Sequence, residues 1–405
     1  MRAPIHCLAS VALITLALAS PPALAAPDEK LRAAAEAAQP ALIETLRDMV
    51  MIESGSADVE GLIKMADFTE TRLKALGAKT ERRKVSRGAG ADIVIATFEG
   101  TGTKLMLIAH MDTVYTRGTL ATQPYRVDGN RIYGPGIADD KGGIAVILHA
   151  LKILGEAGWR DYAKLTVLLN PDEEVGSIGS RELITDVAAE HDVVLSCEPT
   201  AAAPAAKNDA LRLGTSGIAT ATMEVKGKAA HAGAAPQLGR NALIELAHQM
   251  LQTRDIAKSI PGTQLNWTTA QSGTVRNQIP EKAVASADIR VTAPDGLQKL
   301  QAALDEKVKE KLVPDTETAV KIEPGRPPFV AGDRGLTLAR QGQDIYAEIG
   351  RTLDIAETSG GGTDAGPMPT AAARRSWSKA LALPATAITP ATNTSTRARS
   401  CRGSI

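Results

Sequence analysis

Three short apolar runs, each followed directly by acidic residues or histidine, constrain the fold of this chain most. They are KLMLIAHMD at 104–112, LTVLLNPDEE at 165–174 and VVLSCEP at 193–199. Runs of this length without polar alternation are typical of strands in a sheet that helices cover on both faces. In open α/β sheets, ligands bind outside the carboxyl ends of the strands. The sequence therefore predicts an α/β domain with a central, mostly parallel sheet, and a cleft at the end where these runs terminate.

A different pattern begins near residue 213. Apolar and polar residues alternate here, as in ATATMEVKG and AVASADIRV, between helical stretches. The order strand, helix, strand, strand, helix, strand across 213–325 is typical of a ferredoxin-like α+β module. A chain of 405 residues is long enough for two domains. We expect this module to interrupt a catalytic domain formed by 27–212 and 326–365.

The first 25 residues have the pattern of an export signal. Arg2 precedes an apolar run of 13 residues at 8–20, and ALA at 23–25 supplies the small residues of a cleavage site. A helix that crosses a bilayer needs about 20 apolar residues, so no membrane anchor is expected. We predict a periplasmic or secreted mature protein. The alternative is a frayed apolar helix at the N-terminus.

The charge of the chain is balanced overall but uneven along its length. The formal net charge is zero, yet residues 366–405 carry six basic residues and no acidic ones. A basic tail is one signal for an anionic partner. A shift of the reading frame would also produce such a tail, and we expect neither a nucleic acid nor, once the signal is cleaved, a membrane as partner.

The residues at the ends of the three runs, together with an acidic pair before a helical stretch, are candidate metal ligands and proton carriers. They are His110, Asp112, Asp139, Asp140, Asp172, Glu173, Glu174 and Glu198. So many carboxylates around one imidazole repel one another unless cations neutralise them. Carboxylate oxygens and imidazole nitrogens are zinc ligands, and two divalent ions can share a bridging water. We therefore predict two Zn²⁺ ions, with Glu173 free to take a proton from water.

Five motifs give the chain a resemblance to a known family. They are HMDTV at 110–114, YGPGIADDKGG at 133–143, NPDEEVGSIGS at 170–180, CEP at 197–199 and KAAHAGAAPQLGRNA at 228–242. In this order they resemble the dizinc aminoacylase and carboxypeptidase family, and most closely its glutamate carboxypeptidases of the carboxypeptidase G type. The resemblance extends along nearly the whole mature chain and ends at Asp364.

The resemblance implies how the metal ions are held. His110 and Glu198 would bind one zinc ion and Glu174 would bind the other. Asp139 would bridge both ions. The family also pairs through the inserted domain, so the resemblance implies a homodimer.

The resemblance also implies roles around the metal ions. Asp112 would orient His110 from behind. Glu173 would act as the general base and then protonate the leaving amine. In the inserted domain, His231 would polarise the carbonyl that is cleaved. Three further residues would bind the substrate's carboxylate: Asn277, Arg290 and Arg326.

The chain departs from the family after Asp364. The family has one more histidine there, in a segment such as Gly-Tyr-Gly-Tyr-His-Ser, which binds the same zinc ion as Glu174. This chain has no histidine after His248. Read one base out of phase, the codons of 384–390 can encode that segment, and those of 373–382 can encode Ala-Pro-Val-Val-Val-Glu-Gly-Leu-Gly, which is typical of a buried strand and a turn.

This second reading predicts a one-base slip in the gene or in its sequencing. The alternative is a natural, variable tail. In either case we expect residues 366–405 to be disordered and the catalytic sheet to lack a strand and a helix. The metal site would be incomplete, so we expect weak metal retention, low stability and little turnover.

Together these features predict a zinc-dependent exopeptidase or amidohydrolase. It would release a C-terminal amino acid, glutamate, from peptides or folate-type conjugates. One alternative is an aminoacylase or desuccinylase that acts on other N-acyl amino acids. A second is a non-enzymatic, dimerising remnant with a damaged metal site. A solute-binding protein would also suit export and a two-domain cleft, but Asp-Glu-Glu at a strand end argues against it.

Overall fold

The computed structural model describes residues 28–88, 90–129, 131–199, 207–356, 361–365 and 380–382. The predicted export signal at 1–25 lies outside these residues. In chain order the helices are α1 (Glu29–Val50), α2 (Val59–Ala75), α3 (Thr119–Thr122), α4 (Lys141–Glu156), α5 (Arg181–Ala189), α6 (Ala242–Thr253), α7 (Gly296–Lys307) and α8 (Asp333–Glu348). No helix in the described part of the chain is long and apolar enough to cross a membrane.

Several helices begin at a side chain that caps their free backbone N–H groups. The carboxylate of Asp28 accepts hydrogen bonds from the backbone N–H groups of Lys30 and Leu31 at the start of α1. Asn241 caps α6 in the same way. Such caps typically stabilise a helix by about 1 kcal/mol, and they fix where each helix begins.

The strands divide between two large sheets and three two-stranded ones. In chain order they are β1 (Lys79–Lys84), β2 (Asp92–Glu99), β3 (Thr101–His110), β4 (Arg126–Asp128), β5 (Arg131–Tyr133), β6 (Asp161–Asn170), β7 (Val193–Ser196), β8 (Asp209–Arg212), β9 (Gly214–Thr215), β10 (Gly217–Lys226), β11 (Ala230–His231), β12 (Thr263–Ser272), β13 (Gln278–Ile279), β14 (Lys282–Val291), β15 (Glu317–Pro324), β16 (Phe329–Val330), β17 (Leu353–Ala356) and β18 (Ala380–Ala382).

The central sheet contains eight strands in the order β1-β2-β6-β3-β7-β18-β8-β17. The three predicted runs form its middle, where β6 pairs with β3 and β3 with β7, all parallel. Antiparallel pairing of β1 with β2 and of β2 with β6 closes one side of the sheet. The predicted α/β class with a mostly parallel central sheet is thus confirmed.

Helices cover both faces of this sheet, which explains why its strands do not alternate. On one face Ala109, Val167 and Leu169 pack in a core with α1, α2 and α4. On the other face Met106 and Ile108 pack in a separate core with residues of α5. Each fully buried Val, Leu, Ile or Met side chain in these cores contributes about 1.5–3 kcal/mol relative to exposure.

The inserted domain is a four-stranded antiparallel sheet in the order β12-β14-β10-β15. Its chain order of β10, α6, β12, β14, α7 and β15 is the predicted ferredoxin-like arrangement. Alternate residues of β14, from Ala283 to Ile289, are buried in a core of their own. This sheet therefore buries only one face, which explains the alternation in its sequence. We call this domain the lid.

The chain enters and leaves the lid side by side. The backbone N–H of Ile218 donates to the carbonyl of Arg326 at 2.7 Å, and that of Gly325 donates to the carbonyl of Ile218 at 2.9 Å. The short strands β9 and β16 pair antiparallel next to this crossing. The crossing lies beside the predicted boundaries at 213 and 325. It brings residues that follow the lid close to the end of the catalytic sheet.

The tail differs from the prediction at three residues. Residues 380–382 form β18, which pairs in parallel with β7 and antiparallel with β8. A disordered tail would have left the central sheet without a strand between β7 and β8, but β18 occupies that position. A strand needs only backbone hydrogen bonds to join a ladder, and the basic residues around 374–379 concealed the short apolar stretch that follows them. The rest of 366–405 lies outside the described residues.

Candidate metal centre

The ends of three neighbouring parallel strands bring the candidate ligands together. His110 is the last residue of β3, Glu174 lies shortly after β6, and Glu198 lies shortly after β7. Asp139 lies just before α4 and completes the group. Ligand atoms of His110, Asp139 and Glu174 all lie within 4.8 Å of one another. The structure therefore brings the predicted ligands to one end of the sheet, as strand order requires.

The imidazole of His110 lies at the centre of this group and is buried. Its Nε2 atom is 3.0 Å from Oδ1 of Asp139 and 3.9 Å from Oε2 of Glu198. Its Nδ1 atom is 3.1 Å from the carbonyl oxygen of Asp112, which only accepts hydrogen bonds. This contact favours a proton on Nδ1 and leaves Nε2 to face the carboxylates, as a metal ligand must.

Asp112 fixes more than the imidazole. Its carboxylate is fully buried and accepts hydrogen bonds from the backbone N–H groups of Glu173 and Glu174, both at 3.0 Å. The hydroxyl of Ser56 donates to the same carboxylate at 2.7 Å. Asp112 therefore holds the imidazole and the Glu173–Glu174 backbone in one arrangement.

The carboxylates of the group repel one another and are shielded from water. Burial, followed by the charge of Asp139, raises the pKa of Glu174 to about 8. Burial, followed by the charge of Glu173, raises the pKa of Glu198 well above its usual range. Burial alone would lower the pKa of His110, but Asp112 and Asp139 raise it well above the usual value. Burial and the neighbouring acids thus both disfavour the charged forms of Glu174 and Glu198.

The donor set fits divalent zinc. One imidazole nitrogen and three carboxylates converge from different elements, and the convergence creates an excess of buried negative charge. A dication among them would remove the repulsion that raises these pKa values. The assignment of each ligand to one of two ions stays a prediction.

The carboxylate of Glu173 lies beside the group and is held by Arg326. Nη1 of Arg326 donates to Oε1 of Glu173, and Nη2 donates to the carbonyl oxygen of the same residue at 2.7 Å. The guanidinium is buried, and only 4% of Arg326 is exposed. A substrate carboxylate would have to compete with Glu173 for this guanidinium, so the predicted substrate role of Arg326 stays a prediction.

Two residues of this network were missed by the sequence reasoning. Ser177 and Asp364 are both buried, and the hydroxyl of Ser177 donates to Oδ1 of Asp364. Nη2 of Arg326 donates to that hydroxyl at 3.1 Å. The available signals were the position of Ser177 in the DEE motif and that of Asp364 at the end of GGGTD.

His231 and Asn277 lie together on the lid and are exposed. β11, which ends at His231, pairs with β13, and the backbone N–H of Ala232 donates to the carbonyl of Asn277. The Nδ1 atom of His231 accepts hydrogen bonds from the backbone N–H groups of Gly233 and Ala234, at 3.2 and 3.0 Å. In the neutral imidazole this leaves the proton on Nε2. No described hydrogen bond or ion pair joins His231 to the metal ligands.

Arg290 lies on β14, on the face of the lid sheet opposite the core. Its guanidinium donates to Asp288, at 2.9 Å from Nε and 3.2 Å from Nη2. The predicted contact of Arg290 with a substrate carboxylate stays a prediction.

Comparison with known proteins identifies the family. The sequence model of the family described as Peptidase family M20/M25/M40 matches residues 106–382 of this chain. The chain belongs to this family. It is therefore a hydrolase of amide bonds, and the resemblance read from its motifs is confirmed. Residues 380–382, which form β18, lie within the stretch that matches the M20 family.

Two relatives and one solved structure place the chain among M20 proteins. Carboxypeptidase G2 from Pseudomonas sp. (strain RS-16) is 45% identical over 367 residues, which is 90% of this chain and 88% of the relative. Acetylornithine deacetylase from Myxococcus xanthus is 27% identical, covering 81% of this chain and 86% of the relative. The M20 metallo-carboxypeptidase Sso-CP2 from Sulfolobus solfataricus has the same fold, with a TM-score of 0.68 at 16% identity, covering 84% of this chain and 90% of that one.

Proposed function

We propose that this M20 site hydrolyses an amide bond and releases a C-terminal glutamate from peptides or folate-type conjugates. The observation that carries the proposal is 45% identity with Carboxypeptidase G2 over 90% of this chain. The convergence of His110, Asp139 and Glu174 supports it independently. The acetylornithine deacetylase relative is less similar, at 27% identity, and favours the aminoacylase alternative less.

Four residues would hold the metal ions: His110 and Glu198 one, Glu174 the other, with Asp139 between them. Asp139 suits a shared position because its side chain is 47% exposed and its carboxylate lies 3.0 Å from the imidazole of His110. Zinc, when bound, polarises a carbonyl and makes water more acidic. The protein's own contribution is a fixed set of ligands whose repulsion favours cation binding.

Glu173 would carry the proton between water and the leaving amine. Its backbone N–H donates to Asp112 at 3.0 Å, so its position is tied to the carboxylate behind His110. Its side chain is 10% exposed, which is compatible with a group that meets both water and substrate. A general base must lie within hydrogen-bond reach of the proton that it takes, and this loop holds it beside the ligands.

His231 would donate a hydrogen bond to the carbonyl oxygen as negative charge develops on it. Two backbone N–H groups occupy Nδ1, so Nε2 is the donor in the neutral ring. Asn277 and Arg290 of the lid would bind the substrate's carboxylate, with Arg326 as a further candidate. His231 is exposed on the lid. In this proposal the lid places it next to the substrate.

We also infer that the protein forms homodimers through the lid. β12 lies at the edge of the lid sheet, and α6 exposes apolar side chains that include Leu243, Ile244 and Leu251. An edge strand with apolar neighbours favours pairing with a second copy, and a two-fold axis would make the contact self-complementary. An export signal at 1–25 and a periplasmic or secreted location complete the proposal.

The basic tail is proposed to result from a one-base slip. The chain has no histidine after His248, and a single shifted frame can encode both a buried strand and a Gly-Tyr-Gly-Tyr-His-Ser segment. If the slip lies in the gene, the protein is an M20 peptidase with an incomplete second zinc site. We then expect low turnover, and a complete lack of turnover would favour the alternative of a non-enzymatic, dimerising remnant.

A substrate panel tests the proposal. The purified full chain, supplied with Zn²⁺, is incubated with N-acyl-glutamates, dipeptides and N-acetyl or N-succinyl amino acids. We expect glutamate release that depends on Zn²⁺ and falls about 100-fold or more in Glu173→Gln. Faster cleavage of N-acetyl or N-succinyl amino acids would favour the aminoacylase or desuccinylase alternative. No zinc-dependent release from any substrate would favour the remnant.

A further inference from the structure

Asp364 is a buried carboxylate for which the proposed hydrolysis has no use. Only 2% of the residue is exposed. Its carboxylate accepts the hydroxyl proton of Ser177, and it lies 3.8 Å from Nη2 of Arg326. Burial raises the pKa of Asp364 to about 6, while Arg326 and the hydrogen bond from Ser177 favour the charged carboxylate. A buried charge is destabilising unless a partner compensates it, and Arg326 is the ion-pair partner of Asp364 among the described residues.

Ser177 connects this carboxylate to the guanidinium. A hydroxyl has one proton, and because Ser177 gives that proton to Asp364, its lone pairs are left to accept from Nη2 of Arg326 at 3.1 Å. Ser177 has a left-handed backbone with φ of 53°. A residue other than glycine keeps this conformation only where its surroundings enforce it. Here its N–H donates to the carbonyl of Asp172 at 2.7 Å, in the loop that carries Glu173.

Arg326 links Ser177 and Asp364 to Glu173 by hydrogen bonds. One of its terminal nitrogens donates to the Glu173 carboxylate and the other to the Glu173 carbonyl. A planar guanidinium fork fixes direction as well as distance, because its N–H groups have a rigid geometry. The hydrogen bonds therefore run without a break from Arg326 to Glu173 on one side, and through Ser177 to Asp364 on the other.

The segment that carries Asp364 is itself fixed from outside the Glu173 loop. The hydroxyls of Thr363 and Ser196 lie 2.9 Å apart, and Ser196 ends β7 just before Glu198. The backbone N–H of Ser216 donates to the carbonyl of Gly361 at 3.1 Å, next to the crossing into the lid. The position of Asp364 is thus set by the central sheet and the lid connection, independently of Glu173.

We infer that Asp364 is a positioning residue for the hydrolysis: through Ser177 and Arg326 it fixes the direction in which the Glu173 carboxylate points. The inference rests on the proposed function, in which Glu173 moves the proton. A purely structural Asp364 would stabilise the fold but would have no specific link to Glu173.

The first test is a double-mutant cycle on the purified full chain, measured as unfolding midpoints in metal-free buffer. Asp364→Asn and Glu173→Gln each leave Arg326 one carboxylate, while the double variant removes both. We expect the double variant to lose more than the sum of the two single shifts, because a buried guanidinium then keeps neither partner. Additive shifts would overturn the inference. If Asp364→Asn does not fold, Ser177→Ala replaces it in the same cycle.

A matched control separates this coupling from a general loss of stability. Glu245 in the lid is also a fully buried carboxylate, and it accepts the backbone N–H groups of Leu312 and Val313. Glu245→Gln should lower the unfolding midpoint, and its shift should add to that of Glu173→Gln. If this pair is as non-additive as Asp364 with Glu173, the coupling is not specific and the inference fails.

The second test measures turnover of the full chain with Zn²⁺. Asp364→Asn should lower kcat by about tenfold or more while KM changes less than about twofold, because a misdirected base slows the reaction without weakening binding. Glu245→Gln should leave both constants near those of the unchanged protein. An unchanged kcat in Asp364→Asn would overturn the inference. If the unchanged protein hydrolyses no substrate, the proposed function fails, and the stability cycle still decides whether Asp364 and Glu173 are coupled.

Discussion

The carboxylate of Asp112 accepts the backbone N–H of Glu174 at 3.0 Å, although 62 residues separate the two in the chain. The contact links β3 to the loop after β6, so a residue behind the imidazole also sets the position of a second ligand. A change at Asp112 should therefore disturb both sides of the metal centre at once.

Asp112→Ala should lower zinc affinity about 10–100-fold, because residues that orient metal ligands have effects of this size. Zinc content after dialysis against a graded chelator series measures the change. Asp128→Asn, on the exposed hairpin strand β4, is the control and should retain zinc like the unchanged protein. Equal zinc retention in both variants would contradict the role of Asp112.

The metal-free protein should become less stable as pH rises from about 4.5 to about 8. The folded pKa of Glu174 is raised from 4.5 to about 8, so in this window the folded state binds the proton more than the unfolded state does. Stability then falls with rising pH, by about 1.4 kcal/mol per pH unit for each full proton of difference. Burial and neighbouring acids raise the pKa of Glu198 in the same direction.

Zinc should reverse this trend, since it replaces the protons on the same carboxylates. The measurement is the unfolding temperature of chelator-treated protein at pH 5.5, 7 and 8, with and without added Zn²⁺. The stabilisation by zinc should grow with pH. A metal-free protein that is more stable at pH 8 than at pH 5.5 would show that these carboxylates do not control stability.

His231→Ala should lower kcat about 100-fold while zinc content stays the same. Loss of one hydrogen-bond donor to a developing oxyanion has an effect of this size, and His231 has no described contact with the metal ligands. His248→Ala, on α6 of the same domain, is the control and should keep its turnover. A His231 variant with normal kcat would show that His231 does not stabilise the developing oxyanion.

Sequence patterns were sufficient to predict the structural elements that have a repeating pattern of apolar residues. His110, Glu174 and Glu198 follow three similar apolar runs, and strand order alone brings such positions to one edge of a sheet. The lid was recognisable because one buried face imposes alternation on β14. These features are local, so a single sequence contains them.

The parts that could not be predicted depend on contacts between distant residues. Ser177 and Asp364 are 187 positions apart, and no sequence pattern near either residue predicts their hydrogen bond. The resemblance implied a substrate role for Arg326, but its hydrogen bond to Glu173 is visible only in the folded chain. Ala380–Ala382 joins the central sheet through backbone pairing, and the basic residues before it concealed this short apolar stretch.

A one-base correction near codon 365 should restore the second zinc site. β18 (Ala380–Ala382) lies between β7 and β8, and in the shifted frame the codons of 375–378, shortly before it, can encode three consecutive valines. β-branched residues favour a buried strand more than Ala-Leu-Ala does, and the histidine regained from the codons of 384–390 would add a ligand to the ion that Glu174 binds. The corrected chain should hold about two zinc ions per chain and turn over at least about 100-fold faster than the chain as written.

Changing only the regained histidine to alanine should abolish most of this gain while leaving the new strand in place. This variant separates the effect of the ligand from that of the strand. Equal zinc content and equal turnover in the corrected and original chains would refute the slip as the cause of an incomplete site.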